Sequence, residues 1–161
     1  MLIDLNEHIP ADFHDQSRVW IYQCSRIFLL AEALELEKML QDFAAGWKSH
    51  GDPVKGYANL FYGRFIVLMA DESNTAVSGC STDSSVALMR NIEQQFQVQL
   101  FDRQNLAFVR NDKIETIPMS QLPYAMEHGF IGADTLYFDN TVLTKLELLQ
   151  RWIAPVQSTW L

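Results

Sequence analysis

The sequence predicts an α+β fold, ferredoxin-like at its heart, with a C-terminal α/β extension. Three observations lead there. Phe65 to Ala70 are apolar without a break, the mark of a strand covered on both faces at a sheet centre. From Arg18 to Arg110 the candidate elements run strand, helix, strand, strand, helix, strand, the βαββαβ order of a split βαβ sandwich. The two most apolar strands, RVWIYQC and RFIVLMA, are its first and third, expected to be central and parallel. On this reading residues 1–17 are a lead-in segment, 18–112 the ferredoxin-like core and 113–161 an extension packed on it.

Each element has a local reason. Pro10 and the polar DFHDQS stretch discourage regular structure in the lead-in. Arg18 to Cys24 is rich in β-branched and aromatic residues. From Leu30 to about Lys48, the residues Ala33, Leu36, Leu40, Phe43 and Trp47 recur at helical spacing, and Gly51 and Pro53 follow as terminators. Tyr57 to Tyr62 is the next strand, and Gly63-Arg64 is expected to turn it into the central one. A helix is expected to begin near Thr82 or Asp83, with Val86, Met89, Ile92 and Phe96 as its apolar face. Leu106 to Arg110 and Lys113 to Ile117 flank an Asn111-Asp112 turn. The tail carries a short helix from Ser120 to His128, a Gly129 stop, the strand TLYFD and a helix from Leu143 to about Trp152.

A chain of 161 residues, 48% hydrophobic, suits one domain or one domain with an appendage. A formal charge of -8 with scattered Lys and Arg argues against a nucleic-acid partner, which needs clustered cations. No apolar run reaches the ~18 residues of a membrane span, and MLIDLNEHIP lacks the basic start and apolar core of a signal peptide. The expected setting is the cytoplasm, with Cys24 and Cys80 as free thiols. No Cys or His spacing resembles a zinc site, and no cofactor or metal is expected.

The candidate chemistry gathers where the central strand meets the second helix. Cys80, expected at or just before a helix N-terminus, is the candidate nucleophile, because that position favours a thiolate. A base is then needed, and His14, His50 and His128 are the options. Ser78, Gly79, Ser81, Thr82, Asp83 and Ser84 form a candidate binding loop for a small anionic ligand. The same residues also read as plain helix capping. Asp71, Glu72 and Asp83 offer carboxylates for Mg²⁺ or for acid–base work, or simply a solvated rim. Trp20 and Tyr22 share one strand face, as core or as a platform, and Trp160 either packs back or meets a partner.

Two resemblances attach to these residues. Val19-Trp20-Ile21-Tyr22-Gln23, Ala70-Asp71-Glu72-Ser73, Ser78-Gly79-Cys80-Ser81 with Asp83-Ser84-Ser85-Val86, and the closing Ser158 with Trp160-Leu161 resemble a family of short, uncharacterised bacterial proteins. Some of its members carry the label "ABC transporter ATPase". This chain has no G-x-x-x-x-G-K-[S/T] loop to cradle phosphates, so the resemblance implies no nucleotide chemistry. In the tail, Gly129-x-Ile131-x-x-Asp134-Thr135-Leu136 and the later Trp152 resemble GYF-type modules, without the Gly-Tyr-Phe tripeptide itself. Such modules bind proline-rich peptides through aromatic residues, and here the resemblance implies a compact C-terminal extension.

The function expected from these features is non-catalytic binding of a small ligand or a protein partner, with a homodimer compatible with it. The alternative is an enzyme that uses Cys80 as nucleophile.

Overall fold

The computed structural model describes all 161 residues. It is an α+β fold in three layers: two helices, a three-stranded sheet, and a four-stranded sheet with a short helix. Every strand pairing is antiparallel. No helix is long and apolar enough to cross a membrane.

The first sheet has the order β1 (Arg18–Gln23), β5 (Phe65–Asp71), β4 (Lys55–Phe61). All seven residues of β5 are buried, as the unbroken apolar run requires. One face of β5 sends Ile66 and Leu68 under the helices. The other sends Phe65, Val67 and Met69 towards the second sheet. Burying an aliphatic or aromatic side chain of this size stabilises by about 1.5–3 kcal/mol, so this strand is the densest source of stability in the chain. Helix α2 (Leu30–Gly46) joins β1 to the β4–β5 hairpin, after a short N-terminal α1 (Leu5–His8). Its start is fixed by Glu32, which accepts from Leu29 N–H and from the Arg26 guanidinium. The Arg26 bonds hold the Glu32 carboxyl down to about 2. After α2, a small hairpin pairs β2 (Lys48–Ser49) with β3 (Asp52–Pro53). Gly56 on β4 is required by close approach: a Cβ there would lie 2.9 Å from the Trp47 ring.

Helix α3 (Gly79–Phe96) packs beside α2 on the same face of the sheet through Met89, Ile92 and Phe96. It begins about three residues earlier than expected. Ser78 is the N-cap: its hydroxyl accepts from Ser81 N–H, and the Ser81 hydroxyl accepts from Ser78 N–H. That reciprocal pair wins over Thr82 and Asp83, which are equally good cap types in isolation. The inward stripe is also re-phased. Ser81 and Ser85 are buried, whereas Val86 is partly exposed. The small serines leave room for Trp47, whose indole N–H donates to Ser81 O at 2.9 Å.

The ferredoxin-like expectation is corrected at the sheet. β1 and β5 are neighbours but antiparallel, with Arg18 opposite Ala70 and Gln23 opposite Phe65. A crossover helix makes β1 parallel to β4 instead, and the β4–β5 hairpin then folds β5 back between them. β1 is an edge strand, closed on its outer side by an isolated bridge from Arg18 to Thr144 and by Val19 N–H on Leu143 O. The fourth strand, β6 (Asn105–Arg110), leaves this sheet altogether. It joins β7 (Lys113–Pro118), β8 (Leu136–Phe138) and β9 (Ile153–Pro155) in the order β7-β6-β8-β9. A division at residue 112 therefore runs through the β6–β7 hairpin, and the change of layer comes before Asn105. The Asn111-Asp112 turn is as expected, both residues having positive φ. The β4–β5 turn sits one residue early, on Tyr62 and Gly63 rather than Gly63-Arg64. Both residues there have positive φ, the geometry that matches strand twist in a tight hairpin.

α4 (Leu122–Glu127), preceded by a 3₁₀ turn over Met119–Gln121, caps one side of the second sheet. α5 (Lys145–Arg151) lies between the sheets. The core there is aromatic: Phe65 stacks on Phe138 at 4.6 Å, and Trp152 meets Phe61, Phe65 and Phe138 edge-on. The lead-in segment is part of this core. Ile9 and Phe13 are buried in it, and buried Lys145 donates to the carbonyls of Pro10 and Phe13. A lysine buried without a carboxylate requires such acceptors, and they tie the first residues down.

Candidate functional site

Sequence reasoning placed the site at the start of α3. The structure brings Ser78, Gly79, Cys80, Ser81, Thr82, Asp83 and Ser84 together there, but it turns their hydroxyls inward. Thr82 Oγ1 donates to the carbonyls of Ser78 and Gly79, and Ser84 Oγ to that of Ser81. These are the local side-chain to backbone bonds that compete with any ligand. Cys80 is exposed, in a shallow depression shared with Asp42, Phe43, Gly46, Trp47, Lys48 and Ser84. No histidine lines it. His14 instead gives its backbone N–H to Asp71, and His50 occupies the β2–β3 turn.

The carboxylates do not converge. Asp71 is buried, and it accepts from Ser73 N–H, the Ser73 hydroxyl and His14 N–H. Glu72 accepts from Val77 N–H and pairs with Arg18, while Asp83 is exposed on the helix. No three His, Cys, Asp or Glu side chains come together in a metal-holding group. Trp20 and Tyr22 belong to the helix-side core, edge-on to Trp47 and Phe101.

With Cys80 exposed and Cys24 fully buried, iodoacetamide is expected to label Cys80 in the folded protein and Cys24 only after unfolding. Cys80→Ser is expected to change stability by less than ~0.5 kcal/mol. Peptide mass spectrometry with and without urea checks the first point. Protection of Cys80 in the folded state would contradict it.

The better-formed concavity lies where the two sheets part, among the ends of β1, β6 and β8. It encloses about 230 Å³, below the ~300–1,000 Å³ of sites for drug-sized ligands, so its occupant is small. Ile21, Leu106, Tyr137, Phe138 and Trp160 give it an apolar and aromatic surface. A chain of side-chain amides gives it a polar wall. Trp152 Nε1–H donates to Asn140 Oδ1, Asn140 Nδ2 to Gln23 Oε1, and Gln23 Nε2 to Asn105 O, each at 3.0 Å. This relay ties the end of α5 to β1 and β6, so the wall is pre-organised. Burial, with the nearby Asp139 charge, pushes the Tyr137 hydroxyl up to about 12, so it is a neutral group. At the rim stands exposed Arg103, which pairs with no carboxylate. Asp102 beside it has both oxygens engaged, by Gln104 N–H and by the Asn105 amide.

No family model, curated protein or solved structure matches the chain. The site therefore rests on geometry alone.

Sequence reasoning misses this site because its lining comes from five separated stretches, near residues 21–23, 100–106, 119, 137–141 and 160. The one local signal was Trp160, which is half exposed and packs edge-on to Tyr137 at 6.1 Å.

Proposed function

We propose that this chain is a non-catalytic binding domain for a small anionic ligand with an apolar ring or short chain, seated between the two sheets. The observation that carries this reading is Arg103, a guanidinium without an acidic partner at the rim of a small, rigid, aromatic and amide-lined cavity. The apolar body of the ligand rests against Phe138, Tyr137 and Trp160. The acidic group meets Arg103, whose planar fork suits a carboxylate. The amide relay gives orientation without reactivity, because it offers no titratable group for proton transfer near neutral pH. The resemblance to the short bacterial family brings no activity with it, and the Cys80 depression holds no histidine.

Benzoate is a suitable probe. Trp47 and Trp152 are buried, Trp20 is partly buried against Trp47, and Trp160 is half exposed at the cavity. Benzoate is therefore expected to raise the melting midpoint and to change Trp160 emission, a change that Trp160→Phe removes. Arg103→Gln is expected to weaken benzoate binding about tenfold or more, the loss of one charge-assisted hydrogen bond. Benzoate that leaves Trp160 unmoved, or that binds Arg103→Gln as tightly as the wild type, defeats the reading.

A further inference from the structure

The chain carries twelve Lys and Arg against twenty Asp and Glu, so an arginine left without an acid is informative. Arg18, Arg26, Arg90, Arg110 and Arg151 each pair with a carboxylate. The remaining two, Arg64 and Arg103, pair with none, and they line adjoining cavities.

The Arg64 cavity holds about 250 Å³ and shares Gln23, Asp102 and Asn105 with the first. Its character is different. Gln23, Ser25, Gln99, Asn105 and Thr116 make it almost wholly polar. Arg64 is half buried and braced on one side, Nε donating to Cys24 O and Nη2 to Ser25 O, both at 3.2 Å. Those bonds fix the guanidinium plane and leave Nη1 without a protein acceptor. Asp102 is the one acid on the lining, and its oxygens are already taken by Gln104 and Asn105. Asp102 carries its charge on the same lining but makes no ion pair with Arg64, so the half-buried guanidinium keeps an open donor edge that favours an anion.

We propose that the Arg64 cavity is a second anion subsite of the same groove, shaped for a phosphate or carboxylate group. The proposal rests on the ligand reading above and adds a second acidic group to that ligand. Arg64 supplies the charge, and the Ser25, Gln99 and Thr116 side chains supply the remaining hydrogen bonds.

The test is an ¹H–¹⁵N NMR titration of the full chain with inorganic phosphate and, separately, acetate, against sodium chloride at matched ionic strength. Phosphate or acetate is expected to shift Arg64 Nε–H and the Ser25 and Gln99 amides saturably, and whichever binds more tightly names the group. Arg64 also braces the Cys24 and Ser25 carbonyls, so the blocking variant is Thr116→Glu. It adds a carboxylate to the cavity from edge strand β7 and leaves Arg64 in place. Thr116→Glu is expected to weaken the anion at least fivefold and to keep the benzoate response of Trp160. No shift at these positions, an equal shift with chloride, or an unchanged affinity in Thr116→Glu overturns the subsite. If phosphate binds at Arg64 while benzoate leaves Trp160 unmoved, the first-cavity reading falls and the subsite stands.

Discussion

Replacing Trp152 with alanine is expected to lower the unfolding free energy by about 3–5 kcal/mol, the range for emptying a fully buried tryptophan site. Trp152 is fully buried, and its ring meets Phe61, Phe65 and Phe138, which come from both sheets. Its removal opens a void in the core between the two sheets. It also strips Asn140 Oδ1 of its donor, which frees the amide relay that lines the cavity. Trp152→Phe separates the two effects. It keeps most of the packing and loses the indole N–H, so a smaller cost of about 1–2 kcal/mol is expected, with benzoate affinity reduced. Urea denaturation of both variants checks this, and a loss below ~1 kcal/mol for Trp152→Ala would show that the layers do not depend on this ring.

Asp71→Ala is expected to cost about 1.5–3 kcal/mol near neutral pH, because the Ser73 and His14 donors lose a charged, buried acceptor. Chiefly through the Ser73 hydroxyl, then through His14 N–H and Ser73 N–H, with help from the Lys55 ammonium, the folded protein holds the Asp71 carboxyl well below the usual carboxylate range. In the unfolded chain it titrates near ~3.9. The unfolded state therefore binds the proton first. The stabilisation is fully present above about pH 5 and is lost as pH falls through ~4 towards the folded value. Wild-type stability should fall steeply over that interval, and Asp71→Ala should fall less. Parallel acid limbs for the two proteins would sink this assignment. The carboxylate also accepts from His14 N–H, so hydrogen exchange across residues 9–16 should quicken in the variant.

How much of this was legible depends on the range of the interaction that decides each feature. The central strand declared itself because both its faces are covered, so Phe65 to Ala70 carry no polar residue. The turn at Asn111-Asp112 is equally local. The edge position of β1 was not legible, since RVWIYQC has the same composition whether its outer neighbour is a full strand or the Leu143–Thr144 bridge. The sheet that β6 joins is hidden for a similar reason. Leu106, Ala107 and Phe108 are all buried, and an apolar strand carries no sign of which sheet it joins. The start of α3 is ambiguous in sequence because several consecutive residues are competent caps, and only the Ser78–Ser81 exchange selects among them. The cavity, assembled from residues more than a hundred positions apart, had no local motif to give it away.

The covering of β5 also dictates an order of events during synthesis. The face formed by Phe65, Val67 and Met69 is sealed largely by Ala107, Phe138, Val142, Leu148 and Trp152, all of which emerge from the ribosome later. A nascent polypeptide halted near residue 100 presents an oily sheet surface with nothing to lie against it. Such intermediates are prone to stick to one another. Chaperone demand should thus rise once this face leaves the ribosome and subside only when Trp152 has packed onto it.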